Sequence, residues 1–248
     1  MPSKRGWSGA GRVVVLGIGR RVRASLAWRV QRLLRALYSV QDTVFWVGDA
    51  EEAPWYPDAG KVAELRRAIG LEVRRASPSD IGLLRDYQER AGTPLSRRRL
   101  RVMHARWAKG DYCYLAIDSH GEVVAHMWAA RGEVYVDSTG DTYRPGPGEL
   151  IHYDVATRPD RRGSMGFLAC GCASLEAMLP EGYHRVTSWG EPRFFGSFRK
   201  FHWFSGLGKM KPLRLVRCTR VLGLCLRRTQ ELDEAWSPPK QGRPAARE

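Results

Sequence analysis

The chain has no apolar stretch approaching the roughly 18 to 20 residues that cross a bilayer as a helix. Its longest early run, Val13–Ile18, is followed by Arg20 and Arg21. A membrane-spanning helix is therefore not expected. The same run is short for a signal-peptide core and precedes no small-residue cleavage pattern, so the expected location is cytoplasmic. Cysteine is scarce and odd in number: Cys113, Cys170, Cys172, Cys218 and Cys225. Scattered through segments of strand or helix character, they read as buried thiols of a reducing compartment. Cys170-x-Cys172 has neither a second cysteine pair nor a nearby histidine, so no metal site is expected. Acid is absent from the first 41 residues, which hold nine Lys/Arg, leaving +6 of the total +15 for the rest of the chain. A third glycine is also missing after Gly17-x-Gly19, where Val22 stands, which argues against a dinucleotide fingerprint.

What is present divides the chain into four parts. Residues 1–41 form a basic leader in which Val22, Leu26, Val30, Leu33 and Leu37 follow helical steps, with Arg21, Arg29, Arg32 and Arg35 largely off that stripe. Such a helix suits an anionic membrane surface, through residues 20–38, or with less support nucleic acid. It equally suits a solvated face packed on its own domain. Residues 42–70 read as a connecting segment, with a short strand at Thr43–Val47 and an irregular stretch around Pro54, Pro57 and Gly60. Residues 71–217 carry the regular pattern, and residues 218–248 read as an extension ending in a disordered tail from Ser237.

Within 71–217 the spacing predicts a strand at Leu71–Arg75, then a helix led by Ser77 to Asp80 with Ile81, Leu84 and Tyr87 on one side. A second helix follows Pro94 and stops at Gly110. Strands at Tyr112–Ile117 and Glu122–Ala130 flank the turn Asp118–Gly121. A loop at Arg144–Gly148 leads to a strand at Glu149–Thr157, a helix at about Ser164–Leu179, a strand at Tyr183–Trp189, a helix at Pro192–His202 and a last strand at Met210–Arg217. The order predicts an α/β (α+β) domain with a mixed sheet and helices on it.

The chemistry-bearing stretch runs from Asp154 to Phe167: a strand ends in a basic, glycine-containing loop that opens into a helix. The free N–H groups and positive end of such a helix suit a phosphate, Arg161 and Arg162 add charged donors, and Gly163 and Gly166 permit close approach. Pro159-x-x-Arg162-Gly163 resembles the P-x-x-R-G run before the pyrophosphate loop of the GNAT superfamily, acyl-CoA-dependent N-acyltransferases. In the fuller pattern (Q/R)-x-x-G-x-(G/A), Arg162 takes the first place, while Met165 and Phe167 stand where small residues belong and Gly166 is one place out. Farther on, Glu191 to Trp203 is similar to the family's N-x-x-A-x-x-x-Y-x-K-x-G-F. Lys200 and Trp203 keep the frame, whereas Glu191, Phe198 and His202 replace Asn, Tyr and Gly. Phe194, Phe195, Phe198 and Phe201 also read as an aromatic core stripe.

The resemblance implies a mostly antiparallel central sheet flanked by helices, with acetyl-CoA or another acyl-CoA as co-substrate and no metal. The main chain of Val155, Ala156 and Thr157 would grip the pantetheine. Arg161, Arg162, Gly163, Ser164, Met165 and Gly166 would hold the pyrophosphate. An acceptor amine of unknown identity would attack directly, with Glu149 as the candidate base and Asp154 as the alternative. Strand alternation does not choose among His152, Tyr153 and Asp154. His126, Trp128, Tyr112 and Tyr114 are candidates for an acceptor pocket or for core. Two other readings stay open: a non-catalytic GNAT-like module that binds membrane or nucleic acid through its leader, and a transferase using a bulkier acyl or aminoacyl donor.

Overall fold

The computed structural model describes residues 38–50, 58–194, 210–222 and 224–236. The expected leader helix, Phe198, Lys200, His202, Trp203 and the tail from Ser237 lie outside these residues. The chain divides into a smaller unit of residues 1–41 and 217–228 and a larger unit of residues 42–216 and 229–248. In the smaller unit Cys218 and Cys225 form a disulfide, which corrects the reading of all five cysteines as thiols. Neighbouring strands bring their Cα atoms to 6.3 Å, within disulfide reach. Cys113, Cys170 and Cys172 are free and buried.

The elements are β1 (Tyr38–Asp49), α1 (Ala59–Ala68), β2 (Glu72–Ala76), α2 (Ile81–Arg90), α3 (Arg97–Lys109), β3 (Tyr112–Ile117), β4 (Val123–Ala130), β5 (Val134–Val136), β6 (Asp141–Tyr143), β7 (Glu149–Thr157), α4 (Gly166–Met178), β8 (Arg185–Gly190), β9 (Met210–Val221) and β10 (Leu224–Glu231). The main sheet has the order β10-β9-β1-β8-β7-β4-β3-β2, and β5 pairs with β6 in a small hairpin. The pairs β1–β8, β2–β3, β3–β4 and β4–β7 run antiparallel, whereas β7 and β8 run parallel, with α4 connecting them as a β-α-β crossover. This is the mixed, mostly antiparallel α/β architecture expected from the sequence.

Local chemistry sets the helix boundaries. Asp80 accepts from the Ser77 N–H ahead of α2, and Arg74 and Ser77 hold its carboxyl down at about 2. Ser96 caps α3 by accepting from Arg99 N–H, and Gly110 ends it in the left-handed region at φ 93°. Residues 42–70 hold more structure than an irregular connection. Asp58 accepts from the Gly60 and Lys61 N–H groups and so starts α1, whose Val62 is fully buried and whose Arg66 pairs with Glu176 of α4 at 2.9 Å. That helix escaped the sequence because one short face against α4 leaves little periodicity. The strands β5 and β6 escaped because three residues are too short to show a period, and the exposed strand β10 because it has no apolar face.

The sheet of the larger unit separates two packed layers. Leu84 and Tyr87 of α2 and Met103 of α3 bury against Leu115, Trp128, Ile151 and Tyr153 on one face. Ala169, Cys170 and Met178 of α4 bury against Tyr114, Met127 and Leu150 on the other. Every residue of β3 and β4 is buried, which is why these strands read as apolar runs rather than alternating ones.

Candidate active site

Strands β7 and β8 pair only at Glu149–Arg185, Leu150–Val186 and Ile151–Thr187. Beyond that point β8 stays with β1 through Gly190, while β7 stays with β4 through Thr157, so the two diverge. On its β4 side, β7 carries a bulge: His126 lies opposite Ala156 and Trp128 opposite Tyr153, giving β7 one residue more than its partner. Asp154 sits in that bulge at φ 47°, a left-handed conformation that costs a non-glycine residue about 1 kcal/mol. The edge of Val155, Ala156 and Thr157 that faces β8 is consequently free of strand pairing among the described residues. A cavity of ≈ 60 Å³ opens there, lined by His152 and Val155 with Ser188 of β8 and Phe167, Leu168 and Gly171 of α4.

Asp154 is not an open carboxylate. Arg99 reaches it at 3.1 Å and Arg106 at 2.5 Å, both from α3. Burial would raise its pKa, but His126, Arg106 and Arg99 outweigh burial and hold it below the usual carboxylate range. A carboxylate so paired is a poor proton acceptor, which disfavours the alternative base. Beside it, Tyr153 donates to Asp111 at 2.6 Å, and burial pushes the Tyr153 hydroxyl far up. His126 is wholly buried edge-on to Tyr87, and neither ring nitrogen has a hydrogen-bond partner. Burial lowers its pKa to about 4, so it is neutral. His126 and Trp128 lie on the α2/α3 face, whereas Tyr112 and Tyr114 pack on the α4 face; the four cannot line one pocket.

The loop after β7 is anchored through arginines that the sequence alone does not distinguish. Arg158 is buried, pairs with Asp160 at 2.7 Å and Glu122 at 3.0 Å, and donates its N–H to the Val124 carbonyl. Arg161 pairs with Asp118 at 3.1 Å, so it serves the β3–β4 turn. Arg162 is exposed and makes no ion pair among the described residues. Gly163 has φ 95°, and Met165, the residue before α4, has φ 56°. Met165 thus adopts the glycine-favouring conformation at a position where the resembled pattern has a small residue, with its side chain 39% exposed. Gly166 serves packing instead, because a Cβ there would lie 2.7 Å from the Ala125 Cβ and its absence lets α4 dock on β4. Ser164 donates its N–H to Arg161. Among the described residues no side chain caps α4, and the Gly166 and Leu168 N–H groups have no intrahelical acceptor.

Glu149 lies at the start of the parallel pairing, on the face shared with Ile151 and Tyr153 rather than on that of α4. Although only 6% exposed, its carboxylate accepts from Tyr143 O–H at 2.6 Å, Gly146 N–H at 2.7 Å and the closely placed Thr187 O–H. Burial and this carboxylate push Tyr143 up to about 12. Phe45, Tyr143, Tyr153 and Trp189 form a connected aromatic wall beside it. Thr187, Arg99 and Arg106 went unsingled in the sequence because each arrives from a distant element, and Tyr143 because only the turn between β6 and β7 folds it onto Glu149. Among the described residues no cluster of three or more His, Cys, Asp or Glu side chains is placed to hold a metal, and no helix is long and apolar enough to cross a membrane.

A bulged strand splayed from its parallel neighbour and followed by a glycine-containing loop and a helix start, in a mostly antiparallel sheet, is the α/β arrangement that the resemblance to the GNAT superfamily implies. No protein-family model and no curated protein matches the sequence. Solved structures similar to the chain include a GCN5-related glucosamine N-acetyltransferase region of a fungal multi-domain GH3 β-N-acetylglucosaminidase, 19% identical with TM-score 0.48. The match covers 80% of this chain and 23% of that one. A GCN5-related N-acetyltransferase from Sphaerobacter thermophilus is 15% identical with TM-score 0.44, over 84% of this chain and 57% of its own. A glucosamine-6-phosphate N-acetyltransferase from Arabidopsis thaliana is 12% identical with TM-score 0.39, over 55% and 90% respectively. All three are similarities at low identity.

Proposed function

We propose that the chain is an N-acyltransferase that moves an acyl group, acetyl foremost, from a CoA thioester to an amine by direct attack. The observation that carries this reading is the unpaired β7 edge beyond Ile151, which runs into the Arg162–Gly166 loop and the uncapped start of α4. An extended pantetheine arm can pair with the Val155–Thr157 main chain as an added strand would. Arg162 and the first-turn N–H groups then meet the pyrophosphate.

The acceptor nitrogen attacks the thioester carbonyl carbon, the C–S bond breaks, and CoA leaves as a thiolate that takes up a proton. The proton lost by the amine passes to Glu149, directly or through water, since three donors leave its carboxylate with accepting capacity. Main-chain N–H groups around the bulge would stabilise the developing oxyanion. An acyl-enzyme is not needed, and the thiols do not favour one: burial raises Cys113 and Cys170 and pushes Cys172 up to about 12.

Calorimetric titration with CoA and acetyl-CoA at two salt concentrations tests the coenzyme site. Saturable one-to-one binding that persists at the higher salt and weakens at least about tenfold in Arg162→Glu is expected, the size of a lost charge-assisted contact. Absence of binding, or unchanged affinity in Arg162→Glu, would overturn the assignment.

A further inference from the structure

Arg214 of β9 stands apart from the other sequestered arginines of the larger unit. Among the described residues, Arg66, Arg74, Arg106, Arg158 and Arg161 are buried or half-buried, and each pairs with a carboxylate. Arg214 is also half-buried, and no carboxylate among the described residues pairs with it. Its Nε, like that of Arg161, is buried without a hydrogen-bond partner among the described residues, but Arg161 has a carboxylate at its other nitrogen and Arg214 has none. Its guanidinium instead lies over the rings of Phe45, at 4.6 Å, and Tyr143, at 5.7 Å. Stacking of this kind fixes the plane of the group and leaves its in-plane N–H edges for an acceptor. A partly desolvated cation with unmet donors is costly unless something meets them.

What lies beside it indicates the ligand. Tyr143 supports Arg214 through its ring and donates through its hydroxyl to Glu149, so a single phenol group separates the guanidinium from the candidate base. Phe45 and Trp189, with centroids 5.6 Å apart, continue the wall. A cation that takes an oxyanion and a carboxylate that takes a proton from an ammonium group, held about one ring apart, match a small molecule carrying both groups. Resting on the N-acyltransfer reading above, we infer that Arg214 binds an oxyanion of the acceptor, which is therefore a small amine bearing a carboxylate or a phosphate. The planar guanidinium accommodates either anion through two parallel N–H···O bonds.

Matched acceptors decide the matter: phosphoethanolamine against ethanolamine, and 3-aminopropanoate against propylamine, with CoA release measured in the parent chain, Arg214→Gln and Arg214→Lys. The parent is expected to prefer the anionic member of at least one pair by roughly 10- to 100-fold in kcat/KM, the worth of one charged hydrogen-bonded contact. Which pair responds separates phosphate from carboxylate. In Arg214→Gln the ratio should fall toward one, and Arg214→Lys should keep part of it. Equal use of charged and neutral amines by the parent, or a ratio that Arg214→Gln leaves intact, would overturn the inference. Direct titration of the two anionic amines is a second readout that needs no turnover: saturable binding lost in Arg214→Gln supports the site, and no binding to the parent refutes it. CoA titration without amine reports on the acyltransfer reading separately, and unchanged coenzyme affinity in Arg214→Gln shows that the variant is folded.

Discussion

Arg106 of α3 and Asp154 of the β7 bulge form an ion pair, joined by Arg99, that ties the α2/α3 layer to the strand that splays from β8. The pair joins residues 48 positions apart in sequence, and it secures a backbone conformation that Asp154 would not adopt unaided.

Asp154→Ala should therefore cost about 1–3 kcal/mol, since it leaves two arginines without their carboxylate and keeps the unfavourable φ. Asp154→Gly removes the same pair but relieves the backbone, so it should be less destabilising than Asp154→Ala. Urea denaturation of both variants checks this ordering, and the reverse order would show that the bulge is held by other contacts.

His126 predicts a pH dependence. Its pKa is about 4 when folded and about 6.5 when unfolded, so between these values the unfolded chain binds more protons and stability rises with pH. Stability contributed by the neutral imidazole is present above about pH 6.5 and is lost as pH falls toward 4, by about 3 kcal/mol in all. Unfolding of His126→Leu should lack that part of the acid slope. An unchanged slope would place the proton uptake elsewhere.

Gly166→Ala should destabilise by about 1–3 kcal/mol through overpacking, because its Cβ would lie 2.7 Å from that of Ala125. Adding Ala125→Gly should restore much of the loss. Thermal denaturation of the single and double variants measures the coupling, and strict additivity would contradict this contact.

Glu149→Gln should cut turnover at least about a hundredfold, in keeping with general-base catalysis, while CoA affinity changes little. The amide would also turn a donor toward Tyr143, Thr187 or the Gly146 N–H, so a modest loss of stability is expected. Steady-state kinetics with coenzyme titration separates the two effects, and a fully active variant would move the base elsewhere.

Much of this architecture was legible from local pattern. α3 follows Pro94 and stops at Gly110 as read, because left-handed termination is a property of a single residue, and β7 spans Glu149–Thr157 as read. The short α1 was not legible, since its buried face depends on α4 for meaning, while β5 and β6 are too short to show a period and β10 is exposed throughout. Cys218 and Cys225 gave no sign of pairing, for their proximity comes from strand neighbours.

At the site the same division holds. The composition around Arg162 to Gly166 marks a basic, glycine-containing junction between strand and helix, because main-chain freedom and charge are written in residue types. It took the folded chain to reveal that Arg161 serves Asp118, that Asp154 is bound to α3, and that Gly166 packs on Ala125. The helix start at Ser77 to Asp80, the stop at Gly110, the strands β3 and β4 and the position of the loop could all be read from residue order, because they follow from near neighbours along the chain. Which carboxylate faces which arginine was left to the sheet, whose pairing brings residues dozens of positions apart within hydrogen-bonding distance.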